Sequence, residues 1–156
     1  WATTGRVGGR KPNIITSLEL RSEEMEVINL RIQKKYKEIE EKEVRFEEYL
    51  LEDAEYAIVA FGSAARIAKK SIEIARSQGI KVGLLRPITL WPFPTKEVQK
   101  LAGKVKGILS LEINAGQMVE DIRLAVEGKV PVQHFGRLGG IIPDPDEVVD
   151  AIKRLF

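Results

Sequence analysis

Residues 56–85, YAIVAFGSAARIAKKSIEIARSQGIKVGLL, decide the fold of this chain. The stretch opens with a short apolar run, 56–61, which is typical of a strand buried on both faces. A helical pattern follows over 64–78 and stops at Gly79, and a second apolar run covers 80–85. A strand–helix–strand unit of this kind predicts a parallel sheet built through a right-handed crossover.

The same alternation continues to the end of the chain. Thr95 begins a predicted helix to about residue 102, and strand 106–112, helix 116–127 and strand 130–135 follow. Asp144 or Asp146 caps a last helix that runs to the C-terminus. Residues 86–94 hold three prolines and are predicted to be irregular. We therefore predict a three-layer α/β/α domain with a small, mainly parallel sheet over 53–156.

The first third of the chain follows a different pattern. Residues 1–18 are expected to be a linker from a missing upstream domain, since the opening residues carry glycine without periodicity and the chain begins at Trp1. Residues 19–52 are predicted to form a helical connector. Apolar residues recur at helical spacing from Met25 to Leu50, so we expect one long helix, or two in series, from Ser22 to about Leu51.

Composition narrows the function classes. The 156 residues carry a net charge of only +2 and no cysteine. The absence of cysteine excludes disulfides, thiolate zinc sites, a catalytic cysteine and cysteine-bound iron–sulfur clusters within this chain. The balanced charge argues against a nucleic-acid partner, and no apolar run is long enough to span a membrane. No metal site is predicted, and we expect a cytoplasmic location.

Two loops at the carboxyl ends of the predicted strands hold candidate binding residues, because ligands in open α/β sheets sit at that edge. The loop after the first strand can bind an anion through free helix N–H groups, although a tight turn with Ser63 as the cap is the favoured interpretation. The loop after the third strand offers a carboxylate and two amides. The candidates are Gly62, Ser63, Arg66, Glu112, Asn114 and Gln117. The single histidine, His134, is predicted to be structural, and no catalytic set is predicted.

The proline-rich loop RPITLWPFP, 86–94, is the most unusual segment. A stiff loop that presents large rings is a good recognition surface, because little entropy is lost when it docks. The rings could equally cap the core of the domain. Together with the apolar face of the N-terminal helix, the loop supplies the predicted interface residues: Arg86, Trp91, Phe93, Met25, Ile28, Ile32 and Tyr36.

Three strings connect the chain to a known family. They are GSAARIAKKSIEIARSQGIKVGLLRPITLWPFP at 62–94, SLEINAGQMVEDIRLAVEGKVPV at 110–132 and FGRLGG at 135–140. They resemble the C-terminal, transketolase-C-terminal-like domain of the alpha subunit of 2-oxoacid:ferredoxin oxidoreductases. The segments WATTG, NIITSLEL and KYKEIEEKEVRFEEY resemble most the branched-chain (2-ketoisovalerate) branch, with the 2-oxoglutarate and pyruvate branches close behind.

This resemblance implies a reaction and a role. The full complex would oxidatively decarboxylate a 2-oxoacid with thiamine diphosphate and magnesium, pass electrons through iron–sulfur clusters to ferredoxin, and transfer the acyl group to coenzyme A. It implies that these cofactors are bound elsewhere, so we expect a non-catalytic interface domain that is inactive alone. Its partners would be other domains and subunits and, indirectly, ferredoxin, and self-association of the fragment is also expected.

Two alternatives remain open. The chain could be a stand-alone anion- or nucleotide-binding module that uses residues 62–66. It could also be an interaction protein built on the acidic N-terminal helix, since acidic residues are in excess over 19–53. Stoichiometric nucleotide binding by the isolated chain would favour the first alternative.

Overall fold

The computed structural model describes residues 5–12, 14 and 16–155. Within them the chain divides between Glu38 and Ile39 into two compact units. The first unit holds a short 3₁₀ helix, Val7–Gly9, and most of helix α1, Ser22–Lys42. Parts of the predicted linker, residues 1–4, 13 and 15, and the predicted end of the last helix at residue 156 lie outside the described residues. The predicted domain limits stay predictions.

The second unit carries one sheet and four further helices. The strands are β1 (Phe46–Tyr49), β2 (Tyr56–Ala60), β3 (Val82–Pro87), β4 (Ile108–Glu112) and β5 (Val132–Gly136). The helices are α2 (Gly62–Ser77), α3 (Thr95–Ala102), α4 (Met118–Val126) and α5 (Pro145–Arg154). The strand order is β1-β3-β2-β4-β5. All neighbours pair in parallel except β1, which runs antiparallel to β3.

The alternation of side chains along the strands builds two cores, one on each face. Ile58 of β2 faces α2 and α5, while its neighbour Val59 faces α3 and α4. Both side chains are fully buried. Since successive residues of a strand point to opposite faces, a continuous apolar run is what a doubly covered sheet requires. The predicted three-layer α/β/α architecture with a mainly parallel sheet is confirmed.

The predicted helix end near Leu51 is wrong. α1 ends at Lys42, and residues 46–49 form the edge strand β1 instead. Phe46 fits a helical stripe, but pairing with β3 decides its conformation, because tertiary hydrogen bonds outweigh weak helix propensity. Close packing holds this strand end in place: a Cβ on Gly83 would lie 2.5 Å from the carbonyl oxygen of Leu50.

Pairing with β1 also corrects the proline-rich segment. Arg86 and Pro87, predicted to be irregular, are the last residues of β3 and lie opposite Glu47 and Phe46. Pro87 lacks an N–H donor, but β2 pairs with β3 only from Val82 to Leu85, so one side of β3 is unpaired at Pro87. The remaining loop, 88–94, is tied back to the start of β1, since Ile88 N donates to the carbonyl of Arg45 at 2.9 Å.

Candidate functional site

The chain reverses its direction of winding between β2 and β4. From β2 it passes through α2 to β3 on one side, and it then crosses back through α3 to β4 on the other side. α2 and α4 leave this point on opposite faces of the sheet. A crevice at the carboxyl ends of β2 and β4 follows from that divergence, and it is where open α/β sheets bind ligands.

Glu112, at the end of β4, is fully buried beneath the start of α4. Its Oε2 accepts hydrogen bonds from the backbone N–H groups of Gln117 and Met118 at 3.0 and 2.9 Å. Its Oε1 accepts from Val119 N at 3.0 Å and from Ser110 Oγ at 2.8 Å. The carboxylate therefore satisfies three helix N–H groups that would otherwise lack a partner.

Two opposed effects act on this carboxylate. Burial alone would raise the pKa of Glu112, but hydrogen bonds from the Gln117 and Met118 amides hold that pKa below its ordinary value of 4.5. Accepting several donors favours the charged form, and the dipole of α4 adds to that preference. Glu112 is thus a buried anion engaged by its own chain, which leaves it poorly suited to act as a general base.

The other members of the loop after β4 serve its shape. Asn114 Oδ1 accepts a hydrogen bond from Gly116 N at 2.7 Å. Gly116 has a φ of +105°, which side chains rarely adopt. A Cβ on Gly136, in the neighbouring strand β5, would lie 2.3 Å from the carbonyl oxygen of Asn114. At Gly136 the loop and β5 are therefore packed backbone against backbone, with no space for an added methyl group.

His134 of β5 lies beside this carboxylate, a juxtaposition that the sequence did not predict. Its Nε2 is 3.9 Å from Glu112 Oε1, and within the described part of the chain that nitrogen is buried without a hydrogen-bond partner. Ser110 donates to Glu112 and not to the imidazole. The group therefore lacks the nucleophile-to-base hydrogen bond of a catalytic triad.

The candidates at the start of α2 do not take part in the hydrogen bonds of Glu112. Gly62, Ser63 and Arg66 are exposed. Gly62 has a φ of +55°, and the residue that caps the helix is Phe61, with no side-chain hydrogen bond to the helix. The expected cap role of Ser63 is therefore wrong, because Ser63 already lies within the helix.

The proline-rich loop divides its aromatic rings between two roles. Phe93 is half-buried against the α3 and α4 core, whereas Trp91 is 54% exposed. Arg86 is an internal partner: its Nη1 lies 2.9 Å from Glu47 Oε2. Lys69 also contacts Glu47, at 2.5 Å, and the hydrogen bonds from Lys69 and then Arg86 lower the pKa of Glu47.

A small pocket opens where the loops after β2, β3 and β4 meet. Its volume is about 140 Å³. Of the six candidate binding residues, two line this pocket, Glu112 and Gln117. Phe93, another lining residue, is one of the predicted interface residues, whereas the sequence did not single out Phe61, Leu90, Met118 or Asp121. The pocket is lined by Phe61, Leu90, Phe93, Glu112, Gln117, Met118 and Asp121.

The predicted interface residues of α1 are partly accessible. Met25, Ile28 and Ile32 are half-buried and Tyr36 is 42% exposed, and no side chain of α1 is buried. Within the described residues no group of three or more His, Cys, Asp or Glu side chains is placed to hold a metal ion. Across that same part of the chain, no helix is both long and apolar enough to cross a bilayer.

Comparison with known sequences identifies relatives of this chain. The family model of pyruvate:ferredoxin oxidoreductase core domain II matches residues 54–148. Ketoisovalerate oxidoreductase subunit VorB of Methanothermobacter thermautotrophicus is 44% identical over 155 residues, which cover 99% of this chain and 44% of that subunit. The chain thus spans less than half the length of this curated relative.

Solved structures share the fold. A 2-oxoglutarate:ferredoxin oxidoreductase from Magnetococcus marinus, with 2-oxoglutarate, coenzyme A and succinyl-CoA bound, superposes with a TM-score of 0.77 at 21% identity, over 99% of this chain and 28% of that one. A split-gene transketolase, an inactive tetramer of four beta subunits, superposes with a TM-score of 0.59 at 15% identity, over 70% of this chain and 41% of that one. At these identities the likeness concerns the fold alone.

Proposed function

This chain belongs to the family of pyruvate:ferredoxin oxidoreductase core domain II, and from that premise we propose that it is a structural and interface domain of a 2-oxoacid:ferredoxin oxidoreductase subunit. The observation that carries the proposal is the identity of 44% to a ketoisovalerate oxidoreductase subunit across 99% of the chain. A match of that extent includes the N-terminal segment as well as the α/β unit. We assign the chain to the alpha subunit and to a transketolase-C-terminal-like domain.

The arrangement at the sheet edge supports a non-catalytic role. The one buried carboxylate there, Glu112, is engaged by backbone N–H groups and by Ser110. General acid–base catalysis needs a group within hydrogen-bond reach of substrate and with a pKa near the working pH, whereas the pKa of Glu112 is lowered. This arrangement supports packing and contact with other domains, and not catalysis, as the proposed role of the edge.

The chemistry of the complete enzyme is proposed to reside elsewhere in the complex. Thiamine diphosphate with magnesium would supply decarboxylation, iron–sulfur clusters would carry electrons to ferredoxin, and coenzyme A would accept the acyl group. This chain contains no cysteine with which to hold a cluster. We propose branched-chain 2-oxoacids as substrates and the cytoplasm as the location, with other subunits as partners and self-association of the isolated fragment.

Two other functions are not favoured. An anion-binding module would use the exposed start of α2, where Ser63 and Arg66 are accessible. An interaction protein would use the acidic helix α1. Neither accounts for a family match that extends over both the proline-rich loop and the loop after β4.

An activity assay tests the proposal. The complete subunit is co-expressed with its partner subunits and supplied with coenzyme A, a viologen acceptor and one of three 2-oxoacids. We expect the highest kcat/KM with 3-methyl-2-oxobutanoate and lower values with 2-oxoglutarate and pyruvate. The 156-residue chain alone, freed of holoenzyme, should give no turnover. Turnover by the isolated chain would overturn the non-catalytic role, and a preference for 2-oxoglutarate would overturn only the substrate assignment.

A further inference from the structure

We propose that the pocket between the loops after β2, β3 and β4 is a socket for one large apolar side chain from the part of the oxidoreductase subunit outside these 156 residues. The inference rests on the proposed function, since it requires such a subunit. It adds to that proposal a defined contact point and a defined kind of occupant.

The size of the pocket selects a single side chain. Its volume of about 140 Å³ is close to the roughly 150 Å³ of an apolar cavity that accommodates benzene. Sites for cofactors and drug-sized ligands usually measure about 300 to 1,000 Å³. The pocket therefore fits a phenylalanine, leucine or methionine side chain, and it is too small for a nucleotide or for coenzyme A.

The walls have the chemistry of an anchor site. Phe61, Phe93 and Leu90 supply apolar surface, and Met118 adds a flexible, polarisable side chain that adapts to its occupant. The polar lining residues are Gln117 and Asp121, which are exposed, and the buried Glu112, whose carboxylate already accepts hydrogen bonds from Ser110 and from backbone N–H groups. An apolar centre with a polar rim is the arrangement in which buried anchors dominate the binding energy of a protein interface.

Exposed apolar side chains extend this surface beyond the pocket. In the loop after β3, Ile88 is 55% exposed, Leu90 47% and Trp91 54%. Ile113, in the loop after β4, is 36% exposed. All four follow carboxyl ends of parallel strands and so lie along one edge of the sheet. Apolar side chains grouped at one edge mark an interaction surface more clearly than scattered ones do.

The occupant is assigned to the same subunit on grounds of chain length. The chain covers 44% of the VorB relative and 28% of the Magnetococcus marinus chain, so most of such a subunit lies outside these residues. A covalently connected domain reaches the socket at a high effective concentration.

A cleavage experiment on the complete subunit tests the socket. A protease site is inserted at Gly8 and Gly9, both exposed, and the two cleaved parts are separated by size-exclusion chromatography and titrated for affinity. Leu90→Glu places a carboxylate at the socket, and Leu124→Glu is the matched control, since Leu124 is 76% exposed on α4 and does not line the pocket. Gln117→Trp is a second variant that fills the opening and leaves the backbone contact with Glu112 in place.

We expect Leu90→Glu and Gln117→Trp each to weaken association of the two parts by about tenfold to a hundredfold, the value of burying one large apolar side chain. Leu124→Glu should stay close to wild type. Circular dichroism establishes that each variant is folded. Equal losses for Leu90→Glu and Leu124→Glu, or a small molecule found in the pocket of the assembled subunit, would overturn the socket. Activity of the uncut wild-type complex tests the proposed function separately.

Discussion

Two helices begin at the same edge of the sheet, α2 after β2 and α4 after β4, and their first turns are stabilised in different ways. The start of α4 is closed by Glu112, a fully buried carboxylate that accepts three backbone N–H groups. The start of α2 has Gly62 at a φ of +55° and no side-chain hydrogen bond from its cap residue. One helix therefore carries its own anion, and the other meets solvent.

The difference shows when a helix N-terminus is free to bind an anion and when its N–H groups are already occupied. Both starts follow a buried strand at the crevice of an α/β sheet, so by position either could bind an anion. At α4 that capacity is used internally, because the chain supplies the negative charge from β4. The start of α2, whose glycine and serine suggested an anion site, has no carboxylate from the described part of the chain bound to it. At the start of α4 the carboxylate of Glu112 has a structural role.

Removing the buried carboxylate should have the largest effect. Glu112→Ala leaves three backbone N–H groups and Ser110 Oγ without their acceptor, and each buried unsatisfied group is costly. We expect the free energy of unfolding to fall by about 3 to 5 kcal/mol in urea denaturation. Glu120→Ala, on the exposed face of the same helix, should change it by less than about 0.5 kcal/mol. A small loss of stability for Glu112→Ala would contradict the cap role of Glu112. The first turn of α4 would then need its cap no more than the first turn of α2 does.

The charge of Glu112 should be visible in the pH dependence of stability. The pKa of Glu112 is lowered in the folded state from 4.5, so its ionisation stabilises the fold fully above that value. The contribution is lost as the pH falls through the lowered folded pKa. We expect Glu112→Gln, which keeps the size and one accepting oxygen, to lose about 1 to 3 kcal/mol near neutral pH.

The difference in the free energy of unfolding between wild type and Glu112→Gln should then become smaller as the solution is acidified. Both proteins carry the same exposed acids, so subtracting the two urea-unfolding curves at each pH removes the contribution of those acids. A gap that stays constant down to low pH would mean that the native state does not require the charged carboxylate.

At the start of α2, backbone conformation should matter and the side-chain hydroxyl should not. Gly62→Val forces a branched residue into a positive φ, and no atom lies within 4 Å of the added Cβ, so strain alone should cost about 1 to 3 kcal/mol. Gly79→Val should behave alike, since Gly79 has a φ of +83° after α2. Ser63→Ala should cost less than about 0.5 kcal/mol, because Ser63 is exposed and does not cap the helix.

Gly103 provides the matched control for these valine substitutions. It follows α3 with an ordinary φ of −77°. Thermal denaturation should therefore show a smaller loss of stability for Gly103→Val than for Gly62→Val or Gly79→Val. If all three glycine variants were equally stable, the strained start and end of α2 would carry no special requirement. If Ser63→Ala were as costly as Gly62→Val, the hydroxyl would have a role that the geometry does not assign to it.

The sequence by itself determined the layer architecture and the family. Continuous apolar runs at 56–61 and 80–85, separated by an amphipathic segment and Gly79, permit little other than a strand–helix–strand unit, since local periodicity carries that information. It also placed the carboxyl-end loops and their polar residues, and it placed Gly79 at the end of a helix, where the structure has a φ of +83°.

Only the tertiary structure decided the rest, because the deciding contacts join residues far apart in sequence. Residues 46–49 have a helical spacing, and pairing with β3 makes them the strand β1. Glu112 caps α4 because it is buried beneath the start of that helix. His134 lies beside it because β4 pairs with β5. The pocket combines three loops, from Phe61 to Asp121. No local pattern encodes such a meeting, since it depends on strand order and on which face each helix covers.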